Sequence, residues 1–207
     1  MKLLVQKLAA ASAILAFAFN AHAAIGSASA ADVTLDGQAA DAFAYEAGWN
    51  PHAGPNGDTS GFGTAFDGTG TGSFSLLDKY DHSSEFANLG PLTFTFVDAT
   101  GTQGLWTITN TSTTTNITLD LVFAIHAGNQ GGAWLFDNQT VLAGQSLQGD
   151  WEILWTVGQG QGNSPDFSNL TLFSRDVVTT PVPEPGTYAM LLAGLAVTAV
   201  VRRRRKS

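Results

Sequence analysis

The stretch Ile117-Thr118-Leu119-Asp120-Leu121-Val122-Phe123-Ala124-Ile125 decides the fold. Ile117, Leu119, Leu121, Phe123 and Ile125 alternate with Thr118, Asp120, Val122 and Ala124. Successive side chains on a strand point to opposite faces, so a strict period of two argues for a strand with one face on a core. The neighbouring sequence repeats the pattern. Leu92, Phe94 and Phe96 alternate with Thr93, Thr95 and Val97, and Trp106 shares a face with Ile108. Residues 132–136, 147–157 and 169–174 are further candidate strands. Residues 33–35, 43–49, 62–66 and 72–77 are less regular ones.

Helical periodicity is almost absent from this region. About eight to ten short strands separated by Gly, Asn and Asp turns suggest an all-β domain, an antiparallel β-sandwich resembling a jelly roll. The polar run from Asn110 to Asn116 reads as a hairpin connection between two strong strands. Residues 54–61 and 158–165 read as exposed loops. The single domain is expected over residues 24–178, with a linker at 179–186 that carries Pro183, Glu184 and Pro185.

Charge narrows the partners. The chain has 207 residues and no cysteine, which excludes disulfides, thiolate catalysis and cysteine-held metal centres. Of its nine basic residues, Lys2 and Lys7 lie near the start and five lie in the last six positions. Only Lys79 and Arg175 remain between residues 24 and 182, against sixteen of the seventeen acidic residues, a local net of −14 beside −8 for the whole chain. Such a surface repels nucleic acid, so no nucleic-acid partner is expected.

Both ends read as addresses. In residues 1–23, Lys2 and Lys7 precede an apolar stretch and then Ala21-His22-Ala23. That is the order of a secretory signal helix with a small-x-small cleavage site at Ala21 and Ala23, to be cut by signal peptidase. Ala28-Ser29-Ala30 is an alternative site. At the other end, Pro183-Glu184-Pro185 precedes a short apolar run over residues 187–201 and then Arg202, Arg203, Arg204, Arg205 and Lys206. A basic cluster after an apolar run stays on the cytoplasmic side. As a helix, the run would extend only about 22 Å at 1.5 Å per residue, a short transmembrane helix suited to a brief hold. Two prolines stiffen the stem just before it and present Glu184.

This tail resembles the PEP-CTERM sorting signal, in which a Pro-Glu-Pro motif, a transmembrane segment and an Arg-rich end are recognised by a membrane-embedded exosortase. The matching residues are Pro183, Glu184 and Pro185, with the four arginines as the basic end. The resemblance implies transient inner-membrane anchoring over residues 187–207. Removal of the tail follows, with transfer to the cell surface or extracellular matrix of a Gram-negative bacterium. Trp106-Thr107-Ile108-Thr109-Asn110, Trp134-Leu135-Phe136-Asp137 and Leu170-Thr171-Leu172-Phe173 are also similar to strands of a β-domain found in many such surface proteins. That group generally has no assigned activity.

Few residues invite chemistry. Asp150 and Glu152 flank Trp151 on an expected strand, so both carboxylates share one face about 7 Å apart. That spacing suits a glycan hydrolase, but it also suits two charges on a solvated edge. Five tryptophans, Trp49, Trp106, Trp134, Trp151 and Trp155, could pack a core or stack on sugar rings. Trp49, before Asn50-Pro51-His52, is the candidate for binding exopolysaccharide. Asn56, Asp58 and Asp67 could offer oxygen ligands to a structural calcium ion, although Asp-Gly turns explain them as well. No Gly-x-Ser-x-Gly elbow, P-loop or histidine pair for zinc is present. The expectation is a non-enzymatic exported protein without a cofactor. A carbohydrate-binding module and a secreted glycan hydrolase are the alternatives.

Overall fold

The computed structural model describes residues 28–50, 65–80, 89–98, 100–157, 162–182 and 185–204. A 3-10 turn at Ala30–Asp32 leads into β1 (Thr34–Leu35), β2 (Gln38–Ala39), β3 (Ala42–Ala47) and β4 (Ser75–Tyr80). Then follow β5 (Leu92–Asp98), β6 (Gln103–Asn110), β7 (Thr115–Ala127), β8 (Gln130–Val141), β9 (Ser146–Glu152) and β10 (Phe167–Pro181). The helix α1 (Pro185–Arg204) closes the series.

The alternating stretch becomes the middle of β7, at the centre of a five-stranded sheet ordered β3-β8-β7-β10-β4. A second sheet is ordered β5-β6-β9, and every pairing is antiparallel. The inner faces of both sheets contribute to one core. Trp106 of the small sheet lies 4.8 Å from Phe123 and 5.6 Å from Phe136 of the large one, between ring centroids. Phe96 stacks on Trp151 at 5.2 Å and meets Phe167 edge-on at 5.7 Å. The all-β, two-layer expectation therefore stands. The two layers hold five and three strands, β1 and β2 pair as a separate two-stranded ribbon, and the finer jelly-roll order does not emerge.

Glycine makes room for the tryptophans. Across β6 and β9, Trp106 pairs with Gly149 and Gly104 pairs with Trp151. A Cβ on Gly149 would strike the Trp106 indole and the Thr34 carbonyl. One on Gly104 would strike the Trp151 indole and the Val97 carbonyl. The glycines let each ring lie flat against the sheet, where large aromatics bury the most area.

Two expectations need correction. First, β7 is buried on both faces. Val122 and Ala124, on its supposed outer side, join Phe66, Ala133, Leu135 and Phe173 in a second cluster. The segment carrying Phe66 and Phe74 packs over that side of the sheet, so the alternation reports two buried surfaces. Second, the connection from Asn110 to Asn116 is not a hairpin, because β6 and β7 belong to different sheets. The buried Asn110 side chain holds the crossing, donating to the carbonyls of Thr115 at 2.8 Å and Val141 at 3.0 Å.

The N-terminal segment seals one side of the core. Val33 bridges to Trp151, and Val33 and Leu35 are fully buried. Ser29 caps the 3-10 turn through a reciprocal capping box with Asp32. The indole N–H groups of Trp134 and Trp106 donate to the carbonyls of Ser29 and Thr34, at 2.8 and 2.9 Å. The expected signal helix, with Ala21 and Ala23, lies outside the described residues.

Candidate sorting site at the end of the last strand

β10 carries the site, and its two halves differ. From Leu170 to Ser174 it is flanked by β7 on one side and β4 on the other. Those residues are buried. Beyond Ser174 the β4 pairing stops, and among the described residues only β7 remains as a strand partner. Every side chain from Asp176 to Val182 is exposed. The residues 179–181, expected to be linker, are strand: Thr179, Thr180 and Pro181 pair with Ile117, Asn116 and Thr115. The ladder then ends with the Val182 N–H donating to the Thr114 carbonyl at 2.7 Å.

A buried charge pair divides the halves. The Arg175 guanidinium donates through Nε to Asp120 at 2.8 Å, with Arg175 4% and Asp120 2% exposed. Its other nitrogens reach the Phe66 carbonyl at 3.2 Å and the Thr69 hydroxyl at 2.7 Å. The guanidinium also lies 4.2 Å from the centre of the Phe74 ring. The second carboxylate oxygen of Asp120 accepts from the Asn138 backbone N–H at 2.9 Å. Asn138 and Asp176 both have positive φ, 51° each, and both neighbouring ladders shift register beside Asp120. Two bulges thus flank one carboxylate, and that carboxylate satisfies an amide freed by one of them.

Nearby acids respond to this arrangement. Burial pushes the Asp137 carboxyl above the usual carboxylate range, helped by hydrogen bonding and charge from Asp120. Asp176 is held below that range, first by the Thr71 backbone N–H, with the Thr71 hydroxyl and Arg175 contributing. Nothing in the linear sequence signalled this node. Arg175 was visible only as one of two basic residues in an acidic domain.

Past the strand, α1 starts at Pro185, so Pro183 and Glu184 alone separate Val182 from the helix. Pro183 and Glu184 themselves lie outside the described residues, as do Arg205 and Lys206. Met190, Leu191, Leu192, Leu195 and Val197 are all more than half exposed. Arg202, Arg203 and Arg204 fill its last turn. The protein-family profile described as the PEP-CTERM protein-sorting motif matches residues 181–206.

The chain carries a PEP-CTERM sorting motif.

A PEP-CTERM motif implies export and surface sorting, with processing by an exosortase-type membrane enzyme. No curated protein and no solved structure is measurably similar to the chain. Among the described residues, no helix is long and apolar enough to cross a membrane. α1 mixes Ala, Gly and Thr among its larger apolar residues and ends in arginines.

Elsewhere in the chain, the candidates separate. Asp150 and Glu152 are exposed on one face of β9 while Trp151 is buried on the other. They line a cleft of about 300 Å³ with Asp32, Gln103 and Leu105. Trp106, Trp134, Trp151 and Trp155 are 0–2% exposed and fill the core, so their rings are unavailable for stacking. Trp49 is half-buried against the second cluster, its Cβ close over Gly131. Among the calcium candidates, Asn56 and Asp58 lie outside the described residues. Asp67 is exposed on a turn whose Phe66 carbonyl is already bound by the Arg175 cation. Among the described residues, no group of three or more acidic or histidine side chains could hold a metal ion.

Proposed function

We propose that this chain is an exported surface or extracellular-matrix protein whose acidic β-domain does no catalysis. In this reading signal peptidase cuts after Ala23. An exosortase recognises Pro183, Glu184 and Pro185 together with the basic end, and the tail is removed. The hold in the inner membrane is brief, because the apolar run over residues 187–201 is short. No cofactor is needed. The observation that carries the reading is the sorting motif at 181–206, placed directly after the final strand. The test replaces Glu184 with Ala and Arg202, Arg203, Arg204 and Arg205 with Ala. The variant is expected to keep its tail and stay off the surface. Normal processing and surface delivery would sink the reading.

Exopolysaccharide binding is the second reading, favoured by the cleft beside Asp150 and Glu152. Carboxylates and Gln103 there could accept and donate to sugar hydroxyls, with Trp49 available only as a half-buried ring. Retention on the producer's polysaccharide, lost in Asp150→Asn/Glu152→Gln, would support it. A glycan hydrolase at the same pair rests on the shared face alone. Unchanged hydrolysis in that double variant would remove it.

A further inference from the structure

Strand β10 and the sorting motif compete for the same few residues. The last backbone hydrogen bond, from Val182, falls one residue before Pro183, and α1 begins at Pro185. Two residues of extended chain span at most about 7 Å. A processing enzyme must enclose a stretch of extended backbone around its motif, with the chain's amides free to pair with the enzyme. On the domain side of Pro183 those amides are already paired with β7.

The strand is built to give way there. Among the described residues, β7 is the only strand partner of residues 178–181, and their side chains are exposed. Pro181 has no N–H to contribute to the ladder. An edge held by backbone hydrogen bonds with little burial belongs to the low-stability end of a fold. The preceding residues are the opposite. Arg175 is bound to Asp120, Phe66 and Thr69, and Asp176 accepts from Thr71. The register shift between Arg175 and Val178 separates the two parts.

We propose that residues 178–181 peel from β7 for the sorting motif to be processed, and that the Asp120–Arg175 bulge marks where the peeling stops. The inference rests on exosortase processing of this tail. Peeling, which also releases the Val182 N–H from Thr114, frees the five residues 178–182 before Pro183, while the core half of β10 stays in the sheet.

Because the chain has no cysteine, a single designed disulfide tests this directly. Val178 and Thr118 are register partners, so Val178→Cys/Thr118→Cys ties the strand end to β7. Thr118 also pairs with Thr140, so Thr118→Cys/Thr140→Cys ties β7 to β8 and leaves β10 free. The full chain is incubated with exosortase-containing membranes, oxidised or with dithiothreitol, and tail removal is followed by mass. The expected result is loss of processing only in the oxidised 178/118 variant. Its reduced form and both forms of the 118/140 variant are processed. Inserting a flexible Gly/Ser spacer of about six residues before Pro183 should restore processing of the oxidised 178/118 variant. Processing of that variant without the spacer, at the rate of its reduced form, overturns the proposal. Failure of the spacer to restore processing overturns it too. If the wild type also keeps its tail, the sorting reading falls and takes the peeling with it.

Discussion

The first and last segments of the β-domain each border an expected cleavage site, yet they are built in opposite ways. Residues 29–36 are woven into the core: Val33 and Leu35 are buried, and two tryptophan N–H groups end on Ser29 and Thr34. Residues 176–182 lie exposed along one strand. The difference teaches where the chain can be cut or loosened. The domain needs its start intact back to Ser29, whereas its end can be handled without opening the core.

The largest expected effect breaks the boundary between the two halves of β10. Arg175→Ala leaves the buried Asp120 charge unpaired, which costs about 3–5 kcal/mol. Chemical denaturation should show that loss, and Asp120→Ala should show one of similar size. A midpoint within error of wild type would mean that the bulge is not clamped.

Next comes the N-terminal cut. A chain beginning at Ala31 lacks the Ser29 cap and the carbonyl that accepts from Trp134. The loss of a cap and the orphaning of a buried donor together cost about 2–4 kcal/mol. Cleavage after Ala23 preserves both, so mass spectrometry of the exported protein should find Ala24 at its start. An N-terminus at Ala31 on a fully stable domain would erase the contrast between the two ends.

A matched pair sharpens it. Val33→Ala removes two buried methyl groups and should cost about 2 kcal/mol. Val178→Ala, at 56% exposure, should stay within about 0.5 kcal/mol. Equal losses would show that the strand end is as tightly held as the start.

The smallest effects are electrostatic. Asp137 has a raised folded-state pKa, so its favourable contribution is present in acid and lost as pH rises through that value. Asp137→Asn should therefore raise Tm at neutral pH and bring no gain below about pH 3. Asp176 has a lowered pKa, so it stabilises above the ordinary carboxylate range and loses that effect in acid. Asp176→Asn should lower Tm slightly at neutral pH and leave it unchanged in strong acid. A Tm lowered by Asp137→Asn and raised by Asp176→Asn at neutral pH would break the assignment of the two roles.

Much of the sheet was legible because strand periodicity is a local property. The stretch from Ile117 to Ile125 fell inside β7, and the alternations around Phe94, Trp106 and Leu172 fell inside β5, β6 and β10. Placing Asp150 and Glu152 opposite Trp151 also followed from a period of two. The burial of Val122 and Ala124 could not be read that way, because a covering segment from elsewhere in the chain decides it. Nor could the crossing at Asn110, whose partners include Val141, 31 positions away.

By itself, the sequence determined the strand-forming pattern, the acidic character of the domain and the sorting motif with its basic end. Each depends on residues close together in the chain, so spacing and composition are sufficient. Tertiary structure alone decided which faces are covered, that Arg175 pairs with Asp120 across 55 positions, and that β10 continues to the threshold of Pro183. Those outcomes depend on distant segments meeting. A carboxylate 55 positions away sets where the strand's well-held half ends and its exposed end begins.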